Sequence, residues 1–199
     1  MEEIKFMVKP DWVSWKQVQE CQRLSHSVNQ AQGIDMLCSH LSPEELEREV
    51  GDGKCFVALD GNRVVGTVSY NYDKIQQNWC RGNAAYLCME GVLPDYSGRG
   101  LYSKLFQIRM DYIKKDSCKI DCVWMTTAEK NKKIQKIYQR NGFYYVQLKA
   151  SPLTDYYSVV MAKRITGTNP NLFLQRLKFF FYSILFKLRY KPGHIKRFV

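Results

Sequence analysis

Apolar positions along this chain recur with two periods, and the period changes at punctuated points. Residues 4–8 alternate and stop short of Pro10, the pattern of an edge strand. Trp15, Val18, Cys21, Leu24 and Val28 then follow at three- and four-residue steps, which predicts a helix over about 12–28. Residues 29–40 show no period. Ser42-Pro43-Glu44-Glu45 is a helix start with a Ser cap, Pro at the first position and a Glu placed to reach back, and Gly51-Asp52-Gly53 stops that helix. Residues 55–59 and 63–70 read as strands joined by Asp60-Gly61-Asn62, which has hairpin chemistry. The polar stretch 71–83 is expected to be a loop, and 84–92 the next strand. Leu101, Leu105, Ile108 and Tyr112 form one stripe of a helix running to about Lys115. A strand over 120–126, a helix from Asn131, and strands over 143–149 and 156–162 complete a mixed α/β order.

The strand over 84–92 runs into Leu93-Pro94-Asp95-Tyr96-Ser97-Gly98-Arg99-Gly100, and a helix begins directly afterwards. A helix entered in this way leaves its first N–H groups without intrahelical partners, and its dipole adds partial positive charge there. The turn therefore suits a phosphate or pyrophosphate. Gly98 and Gly100 let the backbone approach such a ligand, and Arg99 adds a cation. The same residues also suit an ordinary tight strand-to-helix turn. The spacing is neither that of a nucleotide P-loop, which places Lys-Ser/Thr after its last glycine, nor the three-glycine dinucleotide fingerprint.

A second stretch decides between these readings. The turn resembles the central motif of the GCN5-related N-acetyltransferase (GNAT) superfamily, a strand ending in Val-x-Pro followed by Arg/Gln-x-x-Gly-x-Gly/Ala. This chain has Val92-Leu93-Pro94 and then Ser97-Gly98-Arg99-Gly100-Leu101-Tyr102, departing at Ser97 and Tyr102. Further on, Asn131-Lys132-Lys133-Ile134-Gln135-Lys136-Ile137-Tyr138-Gln139-Arg140-Asn141-Gly142-Phe143 is similar to that superfamily's Asn-x-x-Ala-x-x-x-Tyr-x-x-x-Gly-Phe, with Ile134 in the place of a small residue. Ile134, Ile137 and Tyr138 share a helical face, and Asn141-Gly142 is a helix stop before a strand. An amphipathic helix with a buried structural tyrosine carries the same pattern.

The resemblance implies the acyl-CoA N-acyltransferase fold, a mixed and mostly antiparallel sheet flanked by helices, over residues 1–165. It also implies acetyl-CoA as co-substrate and no metal. By position, the backbone of Glu90, Gly91 and Val92 would meet the pantetheine arm. Gly98, Arg99, Gly100, Leu101, Tyr102 and Ser103 would offer amides to the pyrophosphate, and Asn131 would make a further cofactor contact. Tyr138 stands at the family's general-acid position. The side chain of Tyr102 either crowds the phosphate or turns into the core. Glu90, the sole carboxylate of its strand, is a candidate base at a position that is apolar in the family, and Thr126 stands where some relatives place a glutamate. A water relay, or an acceptor needing no base, are the alternatives. The stretch between the first strand and the helix capped by Ser42 forms much of the acceptor pocket in that family.

Composition sharpens the picture at two places. Seven cysteines, an odd number with no C-x-x-C pair, and three scattered histidines point to free thiols in a reducing cytoplasm rather than to a disulfide frame or zinc site. No histidine is expected beside a cysteine to activate it. The N-terminus is too acidic, and too poor in apolar run, for a signal peptide. The net charge of +11 is concentrated in the tail, since residues 165–199 hold seven basic side chains and no acid. A whole-protein nucleic-acid surface is thereby disfavoured.

After a linker at Thr166-Gly167-Thr168-Asn169-Pro170, residues 171–191 have helical length within a basic tail spanning 166–199. Phe173, Leu177, Phe180, Phe181, Ile184, Leu185 and Leu188 share a broad face, flanked by Arg176 and Lys187 on one side and by Lys178 and Arg189 on the other. Phe179, Phe186 and Tyr190 fall opposite, so burial on two sides is expected. The occupant of the broad face is open between the domain itself, a dimer partner and a peripheral contact with the inner membrane surface; nucleic acid is disfavoured, because aromatics at helical spacing are poor stacking platforms. The function expected overall is an acetyl-CoA-dependent N-acetyltransferase acting on a primary amine of a small molecule or amino sugar. Its rivals are an O-acyltransferase on the same fold, and a catalytically silent acyl-CoA-binding or membrane-associated interaction module.

Overall fold

In a computed structural model that describes residues 3–73, 79–80, 82–116, 119–150 and 154–192, strands and helices alternate nearly as the periodicity predicts. The elements are β1 (Lys5–Val8), α1 (Trp15–Ser25), α2 (Ser27–Ala31), α3 (Pro43–Val50), β2 (Lys54–Asp60), β3 (Arg63–Asp73), β4 (Ala84–Val92), α4 (Leu101–Lys114), β5 (Cys122–Ala128), α5 (Lys132–Arg140), β6 (Tyr144–Ala150), β7 (Tyr157–Arg164) and α6 (Leu172–Arg189). Single 3-10 turns stand at Leu37–Ser39 and Pro94–Tyr96. The chain divides into two units, residues 1–75 with 85–120 and residues 76–84 with 121–199.

In the first unit the strand order is β1-β2-β3-β4. Antiparallel registers join β1 to β2 and β2 to β3, where Asp60 faces Arg63 across the Gly61-Asn62 turn. Side chains alternate across the sheet as a pleat requires. A Cβ on Gly66 would lie 3.0 Å from Leu105 of α4, whereas the neighbouring Thr67 meets Gln22 of α1. The two helices therefore cover opposite faces of this sheet. Helix α3 has the capping box expected of Ser42 and Glu45, with each side chain bonded to the other's backbone N–H.

In the second unit β7 lies between β5 and β6, antiparallel to both. Helix α5 ends at Asn141, and Gly142 takes φ 83°, the stop expected there. Helix α6 packs against β6. Its narrow aromatic face makes the contact, with Phe179 stacked on Tyr145 at 4.7 Å and Phe186 edge-on to Tyr157 at 6.2 Å.

Three expectations are corrected. Helix α1 stops at Ser25, where the Ser25 and Ser27 hydroxyls donate to the carbonyls of Gln22 and Leu24; such bonds compete with helix continuation, and Val28 is left exposed. The buried stripe of α4 is Leu101, Leu105, Phe106, Arg109, Met110 and Ile113, rotated away from Ile108 and Tyr112. Strand β3 continues to Asp73 into the stretch read as a loop, of which 74–78 lie outside the described residues. None of the six described cysteines is held in a disulfide, and Cys118 lies outside the described residues.

Candidate active site

The first unit carries β4, the glycine turn and α4 as one continuous feature. Strand β4 is bent at Met89, a buried non-glycine residue at φ 49°. A side chain in that region carries strain that its surroundings must hold. They do so through the Met89 carbonyl, which accepts from Gln22 Nε2 at 3.0 Å and from Thr67 Oγ1 at 3.1 Å. Two residues further on, Gly91 lies directly under α1. A Cβ at this position would fall 2.1 Å from Ser25 Oγ and 2.9 Å from Ser25 Cβ. Gly91→Ala is therefore expected to destabilise by about 1–3 kcal/mol through overpacking, read as a lower midpoint in urea with an unchanged slope.

Glu90 points to the other face. Its Oε1 pairs with Arg109 Nη2 at 2.5 Å and its Oε2 accepts from the Tyr102 hydroxyl at 2.8 Å. The Arg109 side chain is 0% exposed and that of Glu90 13%. Arg109 Nη1 donates to the Ser69 carbonyl at 3.1 Å, and its guanidinium lies 5.3 Å from the Phe106 ring centre. The two anomalies of the motif thus answer each other, since the tyrosine in place of a small residue bonds the carboxylate in place of an apolar one.

Beyond Val92, the Leu93 N–H bonds the Val65 carbonyl at 2.9 Å. Tyr96 donates to Asp60 at 2.6 Å and carries Arg99 over its ring at 5.0 Å. Gly98 and Gly100 take φ 77° and 78°, where an L side chain is strained, and a Cβ at either would meet nothing within 4 Å. Among the described residues no side chain caps α4, and its first helical bond runs from Lys104 N to Gly100 O at 3.0 Å. Ser97, Gly98, Arg99, Gly100 and Ser103 are exposed, with Leu101 buried beneath them. This is an open, uncapped helix N-terminus with cationic flanks, a fit for a pyrophosphate.

A polar cluster lies where α1 meets α2. Buried His26 places Nε2 3.3 Å from Gln22 Oε1 and 3.4 Å from Cys38 Sγ, with Nδ1 3.0 Å from Asn29 Nδ2. A histidine does therefore stand beside a cysteine, against the expectation. Burial holds the His26 pKa down to about 4 and pushes the Cys38 thiol up to about 12, so both groups are neutral at pH 7. A protonated thiol is a poor nucleophile, and the pair is a polar contact of the core.

The remaining predicted residues belong to the second unit. Asn131 caps α5, its Oδ1 accepting from the Ile134 N–H at 3.3 Å. Tyr138 is 0% exposed, with its ring edge-on to Phe143 at 4.7 Å. Gln135, which the sequence did not single out, is buried and bridges the Ala128 and Glu129 carbonyls to the Tyr145 hydroxyl. Arg109 was missed as well, although a cation four residues after Leu105 on an apolar stripe is a readable signal. A hollow of about 480 Å³ in the first unit is bordered by α1, the β2–β3 hairpin and Leu93. A larger one of about 740 Å³ in the second unit, lined by Trp79, Asp121, Tyr144 and Arg164 among others, includes no predicted site residue. Among the described residues no cluster of His, Cys, Asp or Glu is placed to hold a metal ion.

Residues 17–143 match the model of the Acetyltransferase (GNAT) family. The chain is 31% identical over 88 residues to N-alpha-acetyltransferase 30 of Schizosaccharomyces pombe, covering 44% of this chain and 55% of that protein. It is 23% identical over 115 residues to S-(2-succino)cysteine N-acetyltransferase of Bacillus subtilis, covering 56% of this chain and 67% of that protein. Its fold matches that of yncA from Salmonella typhimurium, solved with its cofactor acetyl-CoA, at a TM-score of 0.63 and 13% identity over 85% of this chain and 98% of that one.

Proposed function

Because the chain belongs to the GNAT acetyltransferase family, we propose that it transfers the acetyl group of acetyl-CoA directly to a primary amine of a small molecule or amino sugar. The observation that carries this reading is the uncapped, exposed glycine turn between β4 and α4, with Gly98 and Gly100 at positive φ and open space above both. Acetyl-CoA supplies the acetyl group as a thioester. The amides of Leu101, Tyr102 and Ser103, with Arg99, would hold its pyrophosphate, and the backbone of Glu90, Gly91 and Val92 would bond the pantetheine arm. Tyr102 leaves room for this, because its hydroxyl is turned to Glu90.

Attack by a neutral amine forms the amide bond and breaks the C–S bond. The departing thiolate takes a proton, and the amine gives one up to water. Phenols hold their proton at neutral pH, and we assign Tyr138 as the donor to sulfur and Asn131 to a cofactor contact on the strength of their motif positions. Glu90 is assigned to the fold instead of to proton transfer, since both its oxygens serve Arg109 and Tyr102. The two curated relatives are N-acetyltransferases by name, which supports nitrogen over oxygen as the acceptor atom.

Titration with acetyl-CoA tests the first step without knowledge of the acceptor. At 100 times the dissociation constant the ligand adds about 2.7 kcal/mol, which raises the melting temperature by roughly 5–10 °C in a chain of this size. A folded protein with no shift would remove the proposal. A shift without acetyl transfer to any of a panel of small amines, amino sugars, peptide N-termini and alcohols would leave a binding module.

A further inference from the structure

Helix α6 has two apolar faces, and the structure covers one. Phe179 and Phe186 lie on the side turned to β6 and β7, against Tyr145 and Tyr157, and half-exposed Tyr190 just beyond the helix is tied there through its carbonyl, which accepts from the Tyr157 hydroxyl. The opposite side is bare. Phe173 is 71% exposed, Phe180 and Phe181 58% each, Leu185 65% and Leu188 79%. At 3.6 residues per turn these positions, with Leu177 and Ile184, span about 140° of arc. A stripe of this kind is more than the scattered apolar exposure normal for a soluble surface, and marks an interaction site.

The charges on its rims choose the partner. Arg176 and Lys187 border the stripe on one side and Lys178 and Arg189 on the other, at the seams between the covered and bare faces. Residues 165–199 contain no acid to answer them. Among the described residues, Lys187 alone of the four has a carboxylate within reach, Glu129 at 2.6 Å. A second copy docked stripe to stripe would bring cationic rims against cationic rims. A surface that is apolar in the middle and anionic at the edge matches them. Among the described residues no helix is long and apolar enough to cross a membrane, so insertion end-on is excluded for α6.

We propose that α6 docks the protein on an anionic lipid bilayer, lying in the plane of the interface with Phe173, Phe180, Phe181, Leu185 and Leu188 in the acyl boundary and the basic rims at the headgroups. Its 18 residues lay a contact line of about 27 Å along the surface. The aliphatic stems of the rim lysines and arginines extend the apolar contact while their heads stay in the headgroup layer. This inference stands on the tail alone and is independent of the acetyl-transfer reading.

Co-sedimentation of the full chain with phosphatidylcholine vesicles, with and without roughly 30 mol% phosphatidylglycerol, tests it. Binding is expected to the anionic vesicles and to fall more than tenfold at about 0.5 M salt. The exposed pair Leu185→Glu with Leu188→Glu should abolish it while the melting temperature holds. The triple change Arg176→Gln, Lys178→Gln and Arg189→Gln should lower the partition coefficient about a hundredfold. Absence of binding to anionic vesicles, equal binding to both lipid compositions, or a dimer in light scattering that the Leu185/Leu188 changes dissolve would each overturn the proposal.

Discussion

Glu90→Ala is expected to destabilise the first unit by about 3–5 kcal/mol, the range for removing one partner of a buried ion pair. Arg109 remains charged at any accessible pH, and its side chain is fully buried with Glu90 as counterion at 2.5 Å. Without the carboxylate the guanidinium stays desolvated beside Phe106 and the Ser69 carbonyl, and the Tyr102 hydroxyl loses the acceptor 2.8 Å away. Glu90→Gln should fall between the two, keeping an acceptor oxygen but not the charge. Replacing both partners, Glu90→Leu with Arg109→Met, should recover most of the loss, because an apolar pair of similar volume dispenses with the desolvated charges. Urea midpoints measure these differences. Kinetics separate the roles: a counterion change lowers the midpoint and leaves the turnover of the folded fraction largely intact. A Glu90→Gln protein as stable as the parent but inactive would make Glu90 the base.

The pair also shows where sequence reading stopped. Strand β4, the hairpin, the Ser42 cap and the Asn141-Gly142 stop were legible because each is specified by a few adjacent residues. Glu90 was legible only as an oddity. Its partner lies 19 positions away on a helix, and the contact exists because α4 packs on the face of β4 that Glu90 faces. The Met89 bend was hidden for the same reason: its stabilisers, Gln22 and Thr67, come from α1 and β3. So was the meeting of His26 with Cys38, which depends on how the chain turns after α1. In α6 both apolar faces were visible, and the choice between them was not. Tyr145 and Tyr157 on the sheet decide it, by offering ring partners to the narrow face.

Tyr138→Phe is expected to reduce turnover by about 10²–10³-fold, within the range of a single general acid, while the acetyl-CoA-induced rise in melting temperature is unchanged. The substitution removes one oxygen and keeps the ring, whose edge-on contact with Phe143 at 4.7 Å is the tyrosine's packing role. Stability should therefore change by no more than about 1.5 kcal/mol, the scale of one hydrogen bond. A purely structural tyrosine would give the same small stability change with no kinetic effect, so the two roles part at turnover. The donor sharpens the distinction. With an acetyl thioester whose thiol leaves as a stable anion, no proton is needed at sulfur, and the defect of the phenylalanine protein should largely vanish. A variant that transfers acetyl from acetyl-CoA at the parent's rate would remove Tyr138 from the chemistry. An equal defect with both donors would place its hydroxyl in positioning the thioester rather than in protonating the thiolate.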